Sequence, residues 1–116
     1  IGRVRVPVFM DIQGACELTH EVKIDFYRVA QEALNNIAKH SGARQVILSL
    51  ACQPNQLSMV IKDDGLGFNP NTISADHLGI TIMRERANSI GADLKIESQV
   101  GQGTSIELTW RATKRE

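Results

Sequence analysis

The sequence has no net charge. Its 116 residues include 13 basic and 13 acidic side chains, so the formal charge is zero. Such a chain has no broad electrostatic field that would attract nucleic acid or an anionic membrane surface. No apolar run approaches the roughly 18 residues that a membrane-spanning helix needs, and no signal peptide is visible. Composition therefore argues against direct contact of this domain with nucleic acid or membrane.

Cysteines are also scarce. Cys16 and Cys52 form no CxxC motif, and a chain of 116 residues can bury one core without disulfides or a structural metal. We therefore expect two reduced, packed thiols and a reducing compartment. The length predicts a single domain over residues 1–116. Because the chain opens with Ile1 rather than methionine, we expect this domain to be excised from a longer protein.

Several common catalytic motifs are missing. The sequence contains neither GxxxxGK[ST] nor GxGxxG, which disfavours P-loop and dinucleotide sites. It also has no HExxH, no zinc-ligand spacing and no nucleophile elbow. Any functional site must therefore be built from other residues.

Hydrophobic periodicity predicts the order strand, helix, two strands, helix, two strands. Hairpins with intervening helices favour an α+β two-layer sandwich, in which helices pack against a mixed, mostly antiparallel sheet. Residues 69–77 contain Pro70 and small polar residues and predict a mobile loop. The predicted strands cover residues 3–9, 46–50, 57–61, 94–97 and 105–110, and the predicted helices cover residues 22–40 and 79–89.

Capping and turn residues set the boundaries of these elements. Pro7 interrupts the first alternation, which suits a strand at the edge of a sheet. Thr19 can cap the first helix, and Ser41 and Gly42 can end it. Pro54 and the asparagine after it predict the turn of the first hairpin.

The first predicted helix carries a polar stripe. Asparagine is a poor residue for a helix interior, where lysine or glutamine would suit a merely solvated face better, so we expect the stripe to have a function. A carboxamide oxygen is a ligand that Mg²⁺ accepts, while one amide alone binds the ion poorly. The ion would arrive with nucleotide phosphates. At about 100° per residue, the stripe contains Arg28, Glu32, Asn35, Asn36 and Lys39, and the opposite, apolar side contains Phe26, Tyr27, Val29, Ala30, Ala33, Leu34, Ile37 and Ala38.

A glycine turn follows the third predicted strand. A lone Asp-Gly pair would indicate a hairpin turn, but Gly67 adds a second glycine after Gly65, and no strand pattern follows. Glycines at alternate positions let the backbone approach a flat ligand closely. A partly buried Asp63 carboxylate can accept the amino protons of adenine. The turn therefore predicts one end of an ATP site.

Two further segments fit the same site. His77, Leu78 and Gly79 open the second helix, where free N–H groups favour a phosphate. The turn at residues 101–104, which ends in Thr104, fits either an ordinary hairpin or the same nucleotide site.

Together these segments closely resemble the catalytic and ATP-binding domain of sensor histidine kinases, which has the Bergerat (GHKL) fold. The resemblance spans about residues 3–111. Residues 32–40 look like the N box of that family, residues 63–67 look like its G1 box, and residues 77–79 and 101–104 match its later glycine regions. Residues 83–87, MRERA, are by themselves only a charged helix, but they narrow the resemblance to the subclass of nitrate sensors and the lipid-fluidity sensor of bacilli. No F box is present, so residues 69–78 would form a short ATP lid.

The resemblance implies a role for each matching residue. Asn36 would coordinate Mg²⁺, Glu32 would position or activate the attacking group, and Lys39 would contact phosphate. Asp63 would bind the adenine amino group, with Thr104 close by through a water. The remaining implied nucleotide-site residues are Asn35, His40, which either contacts the nucleotide or packs, and Gly65, Gly67, Leu78 and Gly79, which shape the pocket and lid.

The resemblance also implies partners. The γ-phosphoryl group of ATP would pass to a histidine on a separate dimerisation domain, and then to a response regulator with a helix-turn-helix output domain. His20 and Glu21 resemble an acceptor motif, but no helical hairpin precedes them. The implied location is cytoplasmic, in a parent protein that is either soluble or membrane-anchored. Alternatives are a serine kinase of the anti-sigma-factor type, a fragment of a clamp-type ATPase, and a nucleotide sensor without catalysis.

Overall fold

The computed structural model describes residues 6–69 and 79–112, apart from the side chains of residues 40 and 41. Within these ranges, no helix is long and apolar enough to cross a membrane. In chain order, the described elements are β1 (Val8–Gln13), α1 (His20–Asn36), a π-helical turn (Ile37–Ser41), β2 (Val46–Gln53), β3 (Gln56–Asp63), α2 (Ile80–Ser89), β4 (Asp93–Gln99) and β5 (Gly103–Arg111).

The five strands form one mixed sheet in the order β1-β2-β3-β5-β4. β1 runs parallel to β2, and the other neighbours are antiparallel. Alternate strand residues such as Leu48, Ile61 and Ile106 are buried and paired in register across the sheet. They share the core with Val29 of α1 and Met83 of α2. The predicted α+β two-layer fold and both hairpins are confirmed.

The first helical segment, which consists of α1 and the π-helical turn, is bounded by Thr19 and Gly42 as predicted, although α1 itself ends at Asn36 rather than at residue 40. The Thr19 side chain accepts a hydrogen bond from the Val22 N–H at 3.3 Å, which satisfies one of the free donors of the first turn. At the other end, Gly42 adopts a left-handed conformation with φ 64°. Between Asn36 and Gly42 the chain forms a π-helical turn, a feature that sequence periodicity does not reveal and that often occurs at functional sites.

The predicted apolar side of α1 is partly wrong. Tyr27 is 62% exposed, and Ala38 is also exposed. Asp25, which lay outside both predicted sides, is only 4% exposed. The reason is that α1 packs against α2 as well as the sheet, so its buried face is displaced towards Asp25.

The first strand lies further along the chain than predicted. It starts after Pro7, whose carbonyl accepts a hydrogen bond from the Val46 N–H at 2.9 Å, and residues 3–5 of the predicted strand lie outside the described residues. Proline suits the start of an edge strand because it has no N–H to donate. The edge position is confirmed. On this strand, Val8, Met10 and Ile12 face the helix side of the sheet with β2 residues, yet they are 43–63% exposed.

The expectation of two reduced cysteines is wrong. Cys16 and Cys52 form a disulfide with a Cα–Cα distance of 5.7 Å, within the usual range for this bond. The two residues meet because Gly14, with φ +82°, brings the chain after β1 directly against the Cys52 backbone. A Cβ on Gly14 would overlap the Cys52 carbonyl oxygen. The prediction failed because it rested on the size of the core, which does not determine whether two cysteines lie close enough to form a disulfide.

We expect reduction of this disulfide to lower the free energy of unfolding by about 4 kcal/mol. The bond closes a loop with a sequence separation of 36 residues, and chain-entropy estimates for loops of this size give a value of that order. Urea unfolding with and without reductant measures the difference. The Cys16→Ser/Cys52→Ser double variant is the control, because reductant should not affect it. Equal stability of the oxidised and reduced wild-type chains would contradict the expectation.

Candidate functional site

Asp63 is the last residue of β3 and pairs in register with Thr104 of β5. Its Oδ1 accepts a hydrogen bond from the Gly65 N–H at 2.8 Å, which fixes the direction of the carboxylate. Burial raises the pKa of Asp63 above its ordinary value, although hydrogen bonds from the Gly65 and Thr104 backbone oppose this shift. The site therefore contains a half-buried acceptor held by its own turn.

The neighbouring Asp64 has a different role. Its Oδ1 accepts hydrogen bonds from the N–H groups of Arg44 at 2.8 Å and Gln45 at 3.1 Å. These bonds, led by the one from Gln45, lower the pKa of this exposed carboxyl. Leu66 in the same turn lies against Gly42 at the end of the π-helical turn. Asp64 and Leu66 therefore attach the end of the first helical segment to the turn that carries Asp63.

Gly67 allows two turns to meet backbone to backbone. Its φ is +67°, and an added Cβ would overlap the carbonyl oxygen of Gln99 and lie 2.9 Å from that of Gly103. The Gly101 N–H also donates to the Leu66 carbonyl oxygen at 2.6 Å. Residue 103 must also be a glycine, because a Cβ there would overlap the Asp63 carbonyl oxygen. These contacts explain both glycines without a ligand, and a nucleotide contact by Gly67 stays a prediction.

Ser98 joins this arrangement and was missed by sequence reasoning. Its hydroxyl accepts from the Phe68 N–H at 2.8 Å, lies 3.1 Å from the Gly103 carbonyl oxygen, and is 2.8 Å from the Thr104 hydroxyl. A signal was present, because Ser98 continues the alternation of Leu94 and Ile96 on the helix side of the sheet. A polar residue at such a position needs partners.

A groove of about 610 Å³ opens at this end of the sheet. Asp63, Ser98 and Thr104 contribute to its lining, together with other residues from β3, β4, β5 and the β4–β5 turn. Its lining also includes Lys62, Ser105 and Glu97, which pair across the strands on the sheet face away from the helices, so the groove extends around this end of the sheet.

The polar stripe of α1 is only partly exposed. Glu32 and Asn36 are half-buried, whereas Arg28, Asn35 and Lys39 are exposed. Glu32 lies against Gly79, the left-handed N-cap of α2 with φ 66°, where an added Cβ would overlap Glu32 Oε1. The structure thus brings Glu32 and Gly79 together, as it does Asp63 and Thr104. The predicted contacts of Leu78 and of the His40 side chain lie outside the described residues.

Metal ligands are sparse in this part of the chain. Across the described residues, no group of three or more His, Cys, Asp or Glu side chains is arranged to hold a metal ion. An ion bound near Asn36 would therefore need oxygen ligands from a bound molecule, which suits the chemistry of Mg²⁺ with nucleotide phosphates.

Comparison with known proteins identifies the family. Residues 21–114 match the family described as histidine kinase-, DNA gyrase B- and HSP90-like ATPases. The chain belongs to this ATPase family. Among its relatives, the nitrate/nitrite sensor protein NarX of Escherichia coli K12 is 35% identical over 106 residues, which cover 90% of this chain and 18% of NarX. Sensor histidine kinase LiaS of Bacillus subtilis is 34% identical over 103 residues, covering 89% of this chain and 28% of LiaS.

Solved structures show the same fold. The ATP binding domain of PrrB from Mycobacterium tuberculosis superposes with a TM-score of 0.73 at 20% identity, covering 94% of this chain and 82% of that domain. The resemblance to histidine kinase ATP-binding domains is confirmed by these comparisons. The chain spans less than a third of the length of the two curated relatives, so it corresponds to a part of each.

We expect Gly67→Ala to destabilise this ATPase-family domain more than Gly91→Ala. Gly91 has nearly the same φ, +66°, but nothing within 4 Å of an added Cβ, so its variant measures the conformational cost alone, about 1–2 kcal/mol. The overlap at Gly67 should add about 1–3 kcal/mol. Urea unfolding of both variants measures the difference. Equal losses would show that the backbone contact between the two turns is dispensable.

Proposed function

We propose that this chain is the catalytic, ATP-binding domain of a sensor histidine kinase. It binds Mg·ATP and donates the γ-phosphoryl group to a histidine on a separate dimerisation domain of the same parent protein, from which a response regulator takes it. The main support is the fixed, half-buried Asp63 carboxylate at the end of β3, in a chain of the histidine kinase-like ATPase family. Its relatives are named as nitrate/nitrite sensor and sensor histidine kinase.

Asp63 is suited to adenine recognition. Adenine presents an amino group that donates two protons, and an ionised carboxylate offers acceptors and no donor. The Gly65 N–H holds Oδ1 in the turn, which sets the plane in which the carboxylate faces its ligand. Thr104, opposite Asp63 and hydrogen-bonded to Ser98, would hold a bridging water. Gly65 and Gly67 shape the turn at this end of the nucleotide.

Asn36 is the proposed protein ligand to Mg²⁺. It lies one turn after Glu32 on the half-buried side of the stripe, and its amide oxygen can occupy one position of an octahedral shell whose other oxygens come from phosphates and water. When bound, the ion neutralises charge on the phosphates. The exposed Lys39, in the π-helical turn, would add a positive charge to the same phosphates. Asn35, His40, Leu78 and Gly79 complete the proposed nucleotide site.

Glu32 is the residue proposed to position the acceptor histidine for its attack on ATP. In the transfer, a ring nitrogen of the acceptor histidine forms a bond to the γ-phosphorus, and the bond from that phosphorus to the bridging oxygen of ADP breaks. Glu32 positions the attacking imidazole by accepting a hydrogen bond from its other ring nitrogen. The role needs a carboxylate with a defined position, and the half-buried Glu32 lies against Gly79 at the amino end of α2.

The names of the relatives favour this proposal over the alternatives. Both curated relatives are sensor proteins, one of them named a histidine kinase, rather than serine kinases or clamp ATPases. The MRERA segment at residues 83–87 favours the same subclass. The proposed location is cytoplasmic, and the proposed partners are the dimerisation domain and the response regulator.

We expect Asp63→Asn to weaken ATP binding by at least about fivefold, because one lost hydrogen bond that leaves a mismatch costs on the order of 1–3 kcal/mol. The Gly65 N–H should keep the amide oxygen in the turn, so the new NH₂ would face the donor of adenine. Isothermal titration calorimetry with ATP measures the affinity. Asp64→Asn is the matched control, since its oxygen can still accept from Arg44 and Gln45. Unchanged affinity in Asp63→Asn would reject the adenine assignment.

We expect Asn36→Ala to abolish the dependence of ATP affinity on Mg²⁺. The alanine removes the amide oxygen that ties the nucleotide-borne ion to the protein. Affinities measured with Mg²⁺ and with a chelator should differ in the wild-type chain and converge in the variant. Gln31→Ala, on the exposed side of the same helix, should keep the wild-type difference. A normal Mg²⁺ effect in Asn36→Ala would place the metal site elsewhere.

A further inference from the structure

Two contacts seven residues apart join α1 to α2. Asp25 of α1 meets Arg86 of α2, and Glu32 of α1 meets Gly79 at the start of α2. The partners of Asp25 and Glu32 occur in the opposite order along α2, so the two helices run antiparallel. Residues 25 and 32 of α1, and residues 79 and 86 of α2, are each seven residues apart, which corresponds to about 10 Å along a helix. The two contacts are therefore equally spaced along both helices. We call this pair of contacts the α1–α2 clasp.

The first contact of the clasp is an ion pair with one buried partner. Arg86 Nη1 lies 3.6 Å from Asp25 Oδ1, and the two side chains are 46% and 6% exposed. Asp25 is the buried charged residue in the described part of the chain. Burying an unpaired carboxylate costs folding free energy, so the fold is more stable when Arg86 stays beside Asp25. The position of Arg86 is therefore more constrained than that of a surface arginine.

The second contact of the clasp involves a proposed catalytic side chain. The Glu32 carboxylate fills the space in which Gly79 has no side chain, at the amino end of α2. The positive end of the helix dipole favours an anion there. The Met83 N–H donates to the Gly79 carbonyl oxygen at 3.1 Å, so the first turn of α2 is regular beside this contact.

Apolar residues pack between the two contacts of the clasp. Val29 and Met83 are buried between them, and Ala87 follows Arg86. Such apolar contacts are not directional, and a flexible methionine adapts to small shifts. An ion pair to a buried carboxylate has a defined length. It therefore adds a defined distance between α1 and α2 to the apolar packing.

We propose that Arg86 is a positioning residue for Glu32. By pairing with Asp25, it fixes α2 along α1 and so holds the amino end of α2 against the Glu32 carboxylate. The effect on catalysis depends on the proposed function, in which Glu32 orients the acceptor histidine. The second arginine of the MRERA segment would thus have a physical role in the fold in addition to its diagnostic value in the sequence.

The first test needs no nucleotide. In the wild-type chain, Glu32→Gln should shift the amide resonance of Gly79 in ¹H–¹⁵N spectra, because the carboxylate lies beside it. In an Arg86→Gln background, the same Glu32→Gln change should shift that resonance by less than about a third as much. Arg84→Gln, an exposed arginine on the same helix, is the matched control and should leave the full response. Sites about 10 Å apart with no shared partner normally act additively, so a full response in Arg86→Gln would overturn the proposal.

A second variant separates position from stability. Arg86→Gln leaves Asp25 buried without its partner and risks unfolding, whereas Asp25→Asn/Arg86→Gln removes both charges and keeps similar shapes. The double variant should fold, as judged by its spectrum, and should still lose the Gly79 response to Glu32→Gln. Arg86→Lys, which keeps the charge, should retain an intermediate response. A full response in the folded double variant would overturn the proposal.

The catalytic arm uses the parent kinase with its own dimerisation domain. Arg86→Gln and the double variant should lower the rate of histidine phosphorylation about tenfold or more, because small misplacements near the reacting groups have effects of that size or greater. The dissociation constant for Mg·ATP should change less than threefold. A wild-type rate in the folded double variant would overturn the catalytic role of Arg86. Failure of the wild-type chain to bind Mg·ATP would instead overturn the proposed function, while the Gly79 resonance would still decide the position of α2.

Discussion

The candidate site depends on the backbone contact between the turn after β3 and the turn between β4 and β5. Neither Gly67 nor Gly103 has a side chain, so carbonyl oxygens approach where a Cβ would otherwise lie. Asp63 starts the first of these turns, and Thr104 follows the second glycine. Their relative position is therefore set by main-chain atoms, which have far fewer alternative conformations than side chains. A site built in this way is largely preformed before any ligand arrives.

α1 carries three different surfaces on one element. Val29 is part of the core, Asp25 meets the second helix, and Glu32 with Asn36 faces the proposed nucleotide site. A helix can present these surfaces together because residues three, four and seven apart lie close to one another on its side. The structural and the chemical roles of α1 are consequently coupled, since any rotation of the helix would move all of these residues at once.

Local sequence signals predicted most of the architecture. Thr19 and Gly42 bracket the first helical segment, and the period of two in β2 to β5 gave both hairpins, because caps and alternation depend on neighbouring residues alone. Asp25, Ser98 and the cysteine pair depend on which elements meet in space, and no local pattern encodes that. The first strand was predicted too early because polar and apolar residues alternate before Pro7, whereas β1 begins after it with three consecutive apolar residues. In the candidate site, Asp63 lies at the end of β3 as the sequence pattern predicted, whereas the contacts of Asp64 to Arg44 and Gln45 depend on which segments meet in space.

The parallel pairing of β1 with β2 limits how this chain can vary in length. Two parallel neighbours need a long connection, and here that connection includes α1 and the π-helical turn. Its ends are fixed by the Thr19 cap and by the Asp64 contacts to residues 44 and 45. One inserted residue within α1 would rotate everything after it by about 100° and carry Asn36 away from its present side. Insertions and deletions should therefore be tolerated in exposed turns such as that at Pro54, and not between residues 19 and 45.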